Sequence, residues 1–199
     1  IVQAWLSADG LLGDVVELGE PLTEVLRNVA PVDPEYTLRA IERAAEGSRS
    51  EQFFSTENRA RVEIKRVLRS IAWDKQLFDR CMKILVGFAL AESPGYRSDR
   101  TAELIKSMFP LYLSGTHATK EQRVAWVRAG LASHDERLQL IASECLDAAL
   151  EAYHFTSHYG FDFGARSRDY GYAPRRGPES RAWFKPFVAL AVEFGAQQS

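Results

Sequence analysis

The chain has 199 residues, 46% hydrophobic and 26% charged, with a net charge of −2. That composition is globular and excludes disorder, and the near-neutral charge excludes a global attraction to nucleic acid or anionic membrane. No apolar run reaches the roughly 18 residues of a membrane-spanning helix. Ile1 to Leu6 is short and apolar, and Asp9-Gly10 and Leu12-Gly13 signal turns. Pro21 to Val29 reads as a helix with Leu22, Val25, Leu26 and Val29 on one face. After the break at Pro31, Asp33 caps a second helix with Pro34 at its first position, where the missing amide costs nothing. Tyr36, Leu38, Ile41 and Ala45 are its expected buried set, and Gly47-Ser48 closes it.

The next stretch, Glu57 to Glu92, reads as a helical hairpin. In its first helix Ala60, Ile64, Val67, Leu68 and Ile71 follow the spacing of one face, with Thr56 as the expected N-cap. Arg59, Lys65, Arg66 and Arg69 fall on the other side and read as a solvated basic strip. Asp74 follows Trp73 and is expected to cap the second helix. There Leu77, Cys81, Ile84, Leu85 and Phe88, widened by Phe78, Met82 and Ala89, span an apolar arc of roughly 200° at about 100° per residue. A helix that apolar is covered by neighbours on two sides.

Asp99 to Phe109 reads as a helix with Ala102, Ile105 and Phe109 inward. Thr119 and Gln122 have the spacing of a capping box, in which each satisfies the other's orphan amide. The helix they open turns Val124, Val127 and Leu131 inward. Asp135 then caps a long helix with Leu138, Ile141, Ala142, Cys145, Ala148, Ala149 and Ala152 buried, widened by Leu146 and Tyr153. The last helix runs from about Glu179 to Phe194 on a stripe of Trp183, Phe187, Leu190 and Phe194, with Pro186 kinking it or starting its second part. That makes eight helices and no strand. Cys81 and Cys145 both sit on apolar stripes and read as buried free thiols of a cytoplasmic protein.

Residues 154–178 break the pattern. Six aromatics (Phe155, Tyr159, Phe161, Phe163, Tyr170 and Tyr172) share the segment with Arg166, Arg168, Arg175 and Arg176. Loops this long carry binding or catalytic groups more often than short ones, and tyrosine and arginine are over-represented at binding hot spots. The expectation is an ordered loop anchored by its rings. Arg166, Arg168, Tyr170, Tyr172, Arg175 and Arg176 are its candidate binding residues.

Catalytic signatures are weak. Neither a phosphate-binding G-x-x-x-x-G-K-[ST] loop nor a G-x-S-x-G elbow occurs. Glu151, His154 and His158 share a helical face only if the long helix extends that far, and a metal also needs a further ligand. Asp162, Asp169 and Glu179 lie among arginines that neutralise them. No catalytic residue, metal site or cofactor is expected.

Three phrases carry a resemblance: Leu26-Arg-Asn-Val-Ala-Pro31 with Pro34, Ser114-Gly-Thr-His-Ala118 before the capped helix, and Phe161-Asp-Phe-Gly-Ala-Arg-Ser-Arg-Asp-Tyr-Gly171 before Trp183. With them, Trp5 to Phe194 resembles the helical-repeat region that follows the switch domain in large bacterial signalling and phage-defence NTPases of the STAND type. No position matches that family's catalytic residues. The resemblance implies a sensor or scaffold segment that contacts a trigger protein or another protomer.

The resulting expectation is an all-α chain, an α-α superhelix of antiparallel hairpins of HEAT or armadillo type with degenerate repeats of roughly 35 to 45 residues. An irregular helical bundle is the alternative. Residues 1–199 are expected to form one domain, a fragment of a larger protein, because the pattern starts uncapped at Ile1. Its expected partner is a protein or a neighbouring domain of the same polypeptide, with no membrane. Nucleic-acid binding through the basic strip and a metal-dependent enzyme near His154 and His158 are the rival readings.

Overall fold

The apolar stripes fold as helices wherever a cap and a breaker bound them. The computed structural model describes residues 1–93, 100–165, 167–175 and 177–196; it is all-α, with no β-strand among those residues. The helices are α1 (Val2–Leu6), α2 (Glu20–Val29), α3 (Pro34–Glu46), α4 (Ser50–Phe54), α5 (Arg61–Ile71), α6 (Phe78–Ala91), α7 (Thr101–Lys106), α8 (Lys120–Leu131), α9 (Glu136–Leu150) and α10 (Gly177–Gly195), with a 3-10 turn at Val15–Glu17. All eight expected helices are present; α1 and α4, five residues each, were too short to show a period.

The strongest local signals hold at atomic detail. Asp33 accepts the Tyr36 amide ahead of Pro34. Thr119 and Gln122 make both bonds of the capping box, and Asp135 accepts from the amides of Arg137 and Leu138. Four boundaries differ. α6 starts at Phe78 with Leu77 as its N-cap, while the expected cap Asp74 accepts the Gln76 amide in the turn before it. α5 starts at Arg61 rather than after Thr56, because Asn58 closes a turn by donating to Phe53 O and accepting from the Ala60 amide. α7 ends at Lys106; Asp99, its expected first residue, lies outside the described residues. α9 stops at Leu150, where Glu151 turns extended, so Ala152 and Tyr153 leave the helix and Tyr153 is 71% exposed. No proline or glycine announces that stop.

The core runs through the middle of the chain. α5 packs against α2, α3, α6 and α7, and α6 also contacts α3, α4 and α9. The broad arc of α6 is buried as expected, with Phe78, Cys81, Met82, Leu85 and Phe88 fully covered. α8 packs on α9, and α10 lies against both through Trp183, Phe187 and Leu190. Trp183 Nε1 donates to Ala149 O at 2.9 Å. Pro186 lies within α10. Cys81 and Cys145 are buried free thiols, and burial pushes both well above the ordinary thiol range. No helix among the described residues is long and apolar enough to cross a membrane.

The basic strip is the main correction. Arg59 and Arg66 are exposed, but Lys65 and Arg69 are buried, and so is Arg61. Positions 61, 65 and 69 recur every four residues beside the apolar row 60, 64 and 68, so the covered arc of α5 takes in both. The cations enter the interior because acceptors meet them there. Glu92 faces Arg61 at 2.5 Å and Lys65 at 3.7 Å, while backbone carbonyls meet Arg69. The strip therefore offers no continuous surface for a phosphate backbone.

Candidate functional site

The segment after α9 crosses the front of the molecule and ties down at its second half. Tyr170 O accepts from the Gly115 amide at 2.9 Å, and the Tyr172 amide donates to Thr116 O at 2.8 Å. Between them Gly171 has φ +86°, and a Cβ there would lie 2.4 Å from the Thr116 nitrogen, so only glycine brings the strands of chain this close. The rings anchor the rest. Phe163 is buried, Phe161 packs edge-on to Tyr170, Phe155 packs on Tyr112, and Tyr172 stacks on Trp183 at 5.6 Å.

Beneath this segment lie two guanidinium groups. Arg69 donates to Ser107 Oγ at 3.1 Å, Gly115 O at 3.2 Å and Ser114 O at 2.6 Å, with the Tyr159 ring 5.5 Å away. Arg123, from α8, donates to Pro110 O, Ser114 Oγ and Thr116 O and lies 4.9 Å over Trp183. Burial pushes Arg69 down to about 10, against the opposing pull of Tyr159. Burial and then the neighbouring Arg69 push Arg123 down to about 9. Both remain cations at neutral pH. They pin the 113–116 turn, where Leu113 and Gly115 have φ of 57° and 61°.

The expected binding residues divide. Arg168 is not available for a partner: it donates to Ser70 O at 2.5 Å and is sandwiched between Trp73 and Phe163, 4.7 and 4.3 Å from their ring centres. Carbonyls and ring faces serve a guanidinium as well as carboxylates do. Asp169 bonds His117 rather than an arginine, at 2.8 Å. Tyr170 is 61% exposed, Tyr172 is half-buried, and the Arg175 side chain is exposed while its amide donates to Glu179. Arg166 and Arg176 lie outside the described residues.

Tyr172 lines a groove of about 580 Å³ together with Trp73, His117, Lys75, Lys120, Asp74 and Glu121, and Lys120 pairs with Glu121 at 3.3 Å. Trp73 follows the end of α5 and His117 precedes the α8 cap. The His117 amide donates to Trp73 O at 2.9 Å and its ring meets Trp73 edge-on at 4.7 Å. Asp169 is held below the ordinary carboxylate range: burial pushes it up, but the Gly171 amide and His117 together pull it further down. Neither Trp73 nor His117 stands out in the sequence; their meeting across the chain makes the surface. A larger cavity, about 910 Å³, lies between α7, the end of α9 and residues 151–159. Glu151, His154 and His158 line it, yet no group of three or more metal-ligating side chains converges among the described residues.

Comparison with protein-family models, with curated proteins and with solved structures finds no match to this chain.

Proposed function

We propose that the chain is a protein-interaction module with no chemistry of its own, built as a stack of antiparallel helical hairpins of the HEAT or armadillo kind. The observation that carries this is the groove of Trp73, His117 and Tyr172, lined also by Lys75, Lys120, Asp74 and Glu121. Rigid aromatic rings beside charged groups bind a protein segment that offers an apolar side chain next to a polar or charged one. Tyr170, Tyr172 and Arg175 are the contact residues from the long segment, and the cores of α5 and α6 keep their platform rigid. In a bacterial NTPase of the STAND type, this role is that of the sensor segment, working in the cytoplasm.

The test uses tagged wild-type chain, a Tyr170→Ala/Arg175→Glu variant and a Lys83→Glu control on α6. A partner captured by wild type and control but not by the double variant, at unchanged melting temperature, supports the reading. Equal capture by all three overturns the assignment of this surface.

A further inference from the structure

We propose that the cavity between α7, the end of α9 and residues 151–159 binds a small zwitterion, an amino acid or short peptide with free ends, its carboxylate toward α7 and its ammonium toward the end of α9. The site is separate from the groove at Trp73 and stands or falls without it.

The volume of about 910 Å³ is that of pockets which enclose small organic ligands. Pro110, Ala148, Leu150, Tyr153 and Tyr159 give it apolar walls, and Thr156 and Ser157 add hydroxyls.

The wall on the α7 side is backed by positive charge. Lys106 lines the cavity and is met by Glu103 only at 4.0 Å, a carboxylate that Arg100 also pairs at 3.7 Å. Ser107 and Pro110 line it as well, and behind them lie the two buried guanidinium groups: Arg69 Nε donates to Ser107 Oγ, and Arg123 donates to Pro110 O. Tyr159, also in the lining, lies 5.5 Å from Arg69. Carbonyls and hydroxyls fill hydrogen bonds of these two cations but cancel none of their charge. No carboxylate pairs with either among the described residues, and Arg123 Nε is buried with no partner. Their field reaches the cavity through one layer of protein, where screening is weak.

The wall on the α9 side is negative. α9 ends at Leu150 with no basic residue in its last turn, so the negative end of its dipole is left uncompensated. Asp147 and Glu151 line the cavity there, four positions apart, and their carboxylates make no ion pair or hydrogen bond among the described residues. Like charges at that spacing repel, and a cation between them relieves both.

The two walls together choose the ligand. A simple oxyanion leaves Asp147 and Glu151 unpaired, and a polyanion is repelled by them. A simple amine leaves the α7 wall unpaired. One molecule that carries both an ammonium and a carboxylate answers both walls, with its apolar body against Tyr153, Tyr159 and Leu150.

Isothermal titration calorimetry on the full chain tests this with three ligands: the dipeptide of leucine with both ends free, its N-acetyl form, which is only an anion, and its C-terminal amide, which is only a cation. The free dipeptide is expected to bind at millimolar concentration or below, and each blocked form at least about tenfold more weakly, through the loss of one charge-assisted contact. Asp147→Asn with Glu151→Gln is expected to erase the preference over the N-acetyl form and keep the preference over the amide. Lys106→Gln is expected to narrow the preference over the amide alone. Asp147 is exposed and Glu151 and Lys106 are half-buried, so both variants are expected to melt like wild type by circular dichroism. Each variant tests one end, so if one fails to fold the other decides. No heat from the free dipeptide, equal binding of all three ligands, or preferences that the folded variants leave unchanged each overturns the proposal.

Discussion

Helix α5 buries a cation at each end of one row, and the two ends are held by different chemistry. At the N-terminal end Arg61 and Lys65 share Glu92, the one buried carboxylate among the described residues. Arg61 also donates to Phe54 O and Phe88 O and lies 4.9 Å over the Phe88 ring. Glu92 in turn accepts from the Thr101 amide and, in a short contact, its hydroxyl, so the pair joins α5 and α6 to the start of α7. At the C-terminal end Arg69 meets no anion among the described residues; two carbonyls, a serine hydroxyl and tyrosine and phenylalanine rings surround it, with Arg123 as a second cation nearby. A buried cation thus needs its donors satisfied more than it needs an opposite charge. The carbonyls at this end belong to the 113–116 turn, so the second arrangement depends on a turn with two left-handed residues.

The largest effect is expected where an anion is removed. Glu92→Gln leaves Arg61 and Lys65 without their counter-charge and should cost about 3–5 kcal/mol in urea unfolding. If it costs no more than a single lost hydrogen bond, the carboxylate is not what holds the first end, and the contrast collapses.

The second end is expected to fail through backbone shape instead. Gly171→Ala forces a Cβ against Thr116 at a positive φ, with an expected loss of about 1–3 kcal/mol. Faster amide exchange at Gly115 and Tyr172, with α5 unaffected, is the signature to look for. A variant as stable as wild type would show that the strap is not closed on the 113–116 turn.

Ser107→Ala removes one neutral acceptor from Arg69 and should cost about 1 kcal/mol, because the other acceptors remain. The smallest effect belongs to Asp169, whose side chain is 62% exposed. Its folded pKa lies below the unfolded value of about 3.9, so its stabilising contribution is present above that pH and is lost as pH falls through the lower folded value. Wild type and Asp169→Asn should therefore differ by under about 1 kcal/mol at neutral pH and converge in acid. A difference that grows in acid would contradict the His117 pairing.

Much of the local structure follows from the order of residues alone. The caps at Asp33, Thr119 and Asp135 are written in side chains two or three positions from the amides they satisfy, so no distant residue is needed to read them. The breadth of the α6 arc and the buried thiols follow from periodicity in the same way. What tertiary structure alone decided is the fate of charge and of the long segment. Lys65 and Arg69 have the spacing of a solvated strip, and nothing local records that Glu92 and the carbonyls of Ser114 and Gly115 wait inside. Arg168 is a candidate binding residue by its type and loop position, whereas Ser70 O and two rings hold it. Tyr172 and Trp73 lie 99 positions apart by subtraction of their numbers, and they line one groove only because the Gly171 turn lays the strap across the end of α5. A carbonyl or a ring face becomes a partner for charge only once the chain has folded around it, so these contacts leave no mark in the sequence.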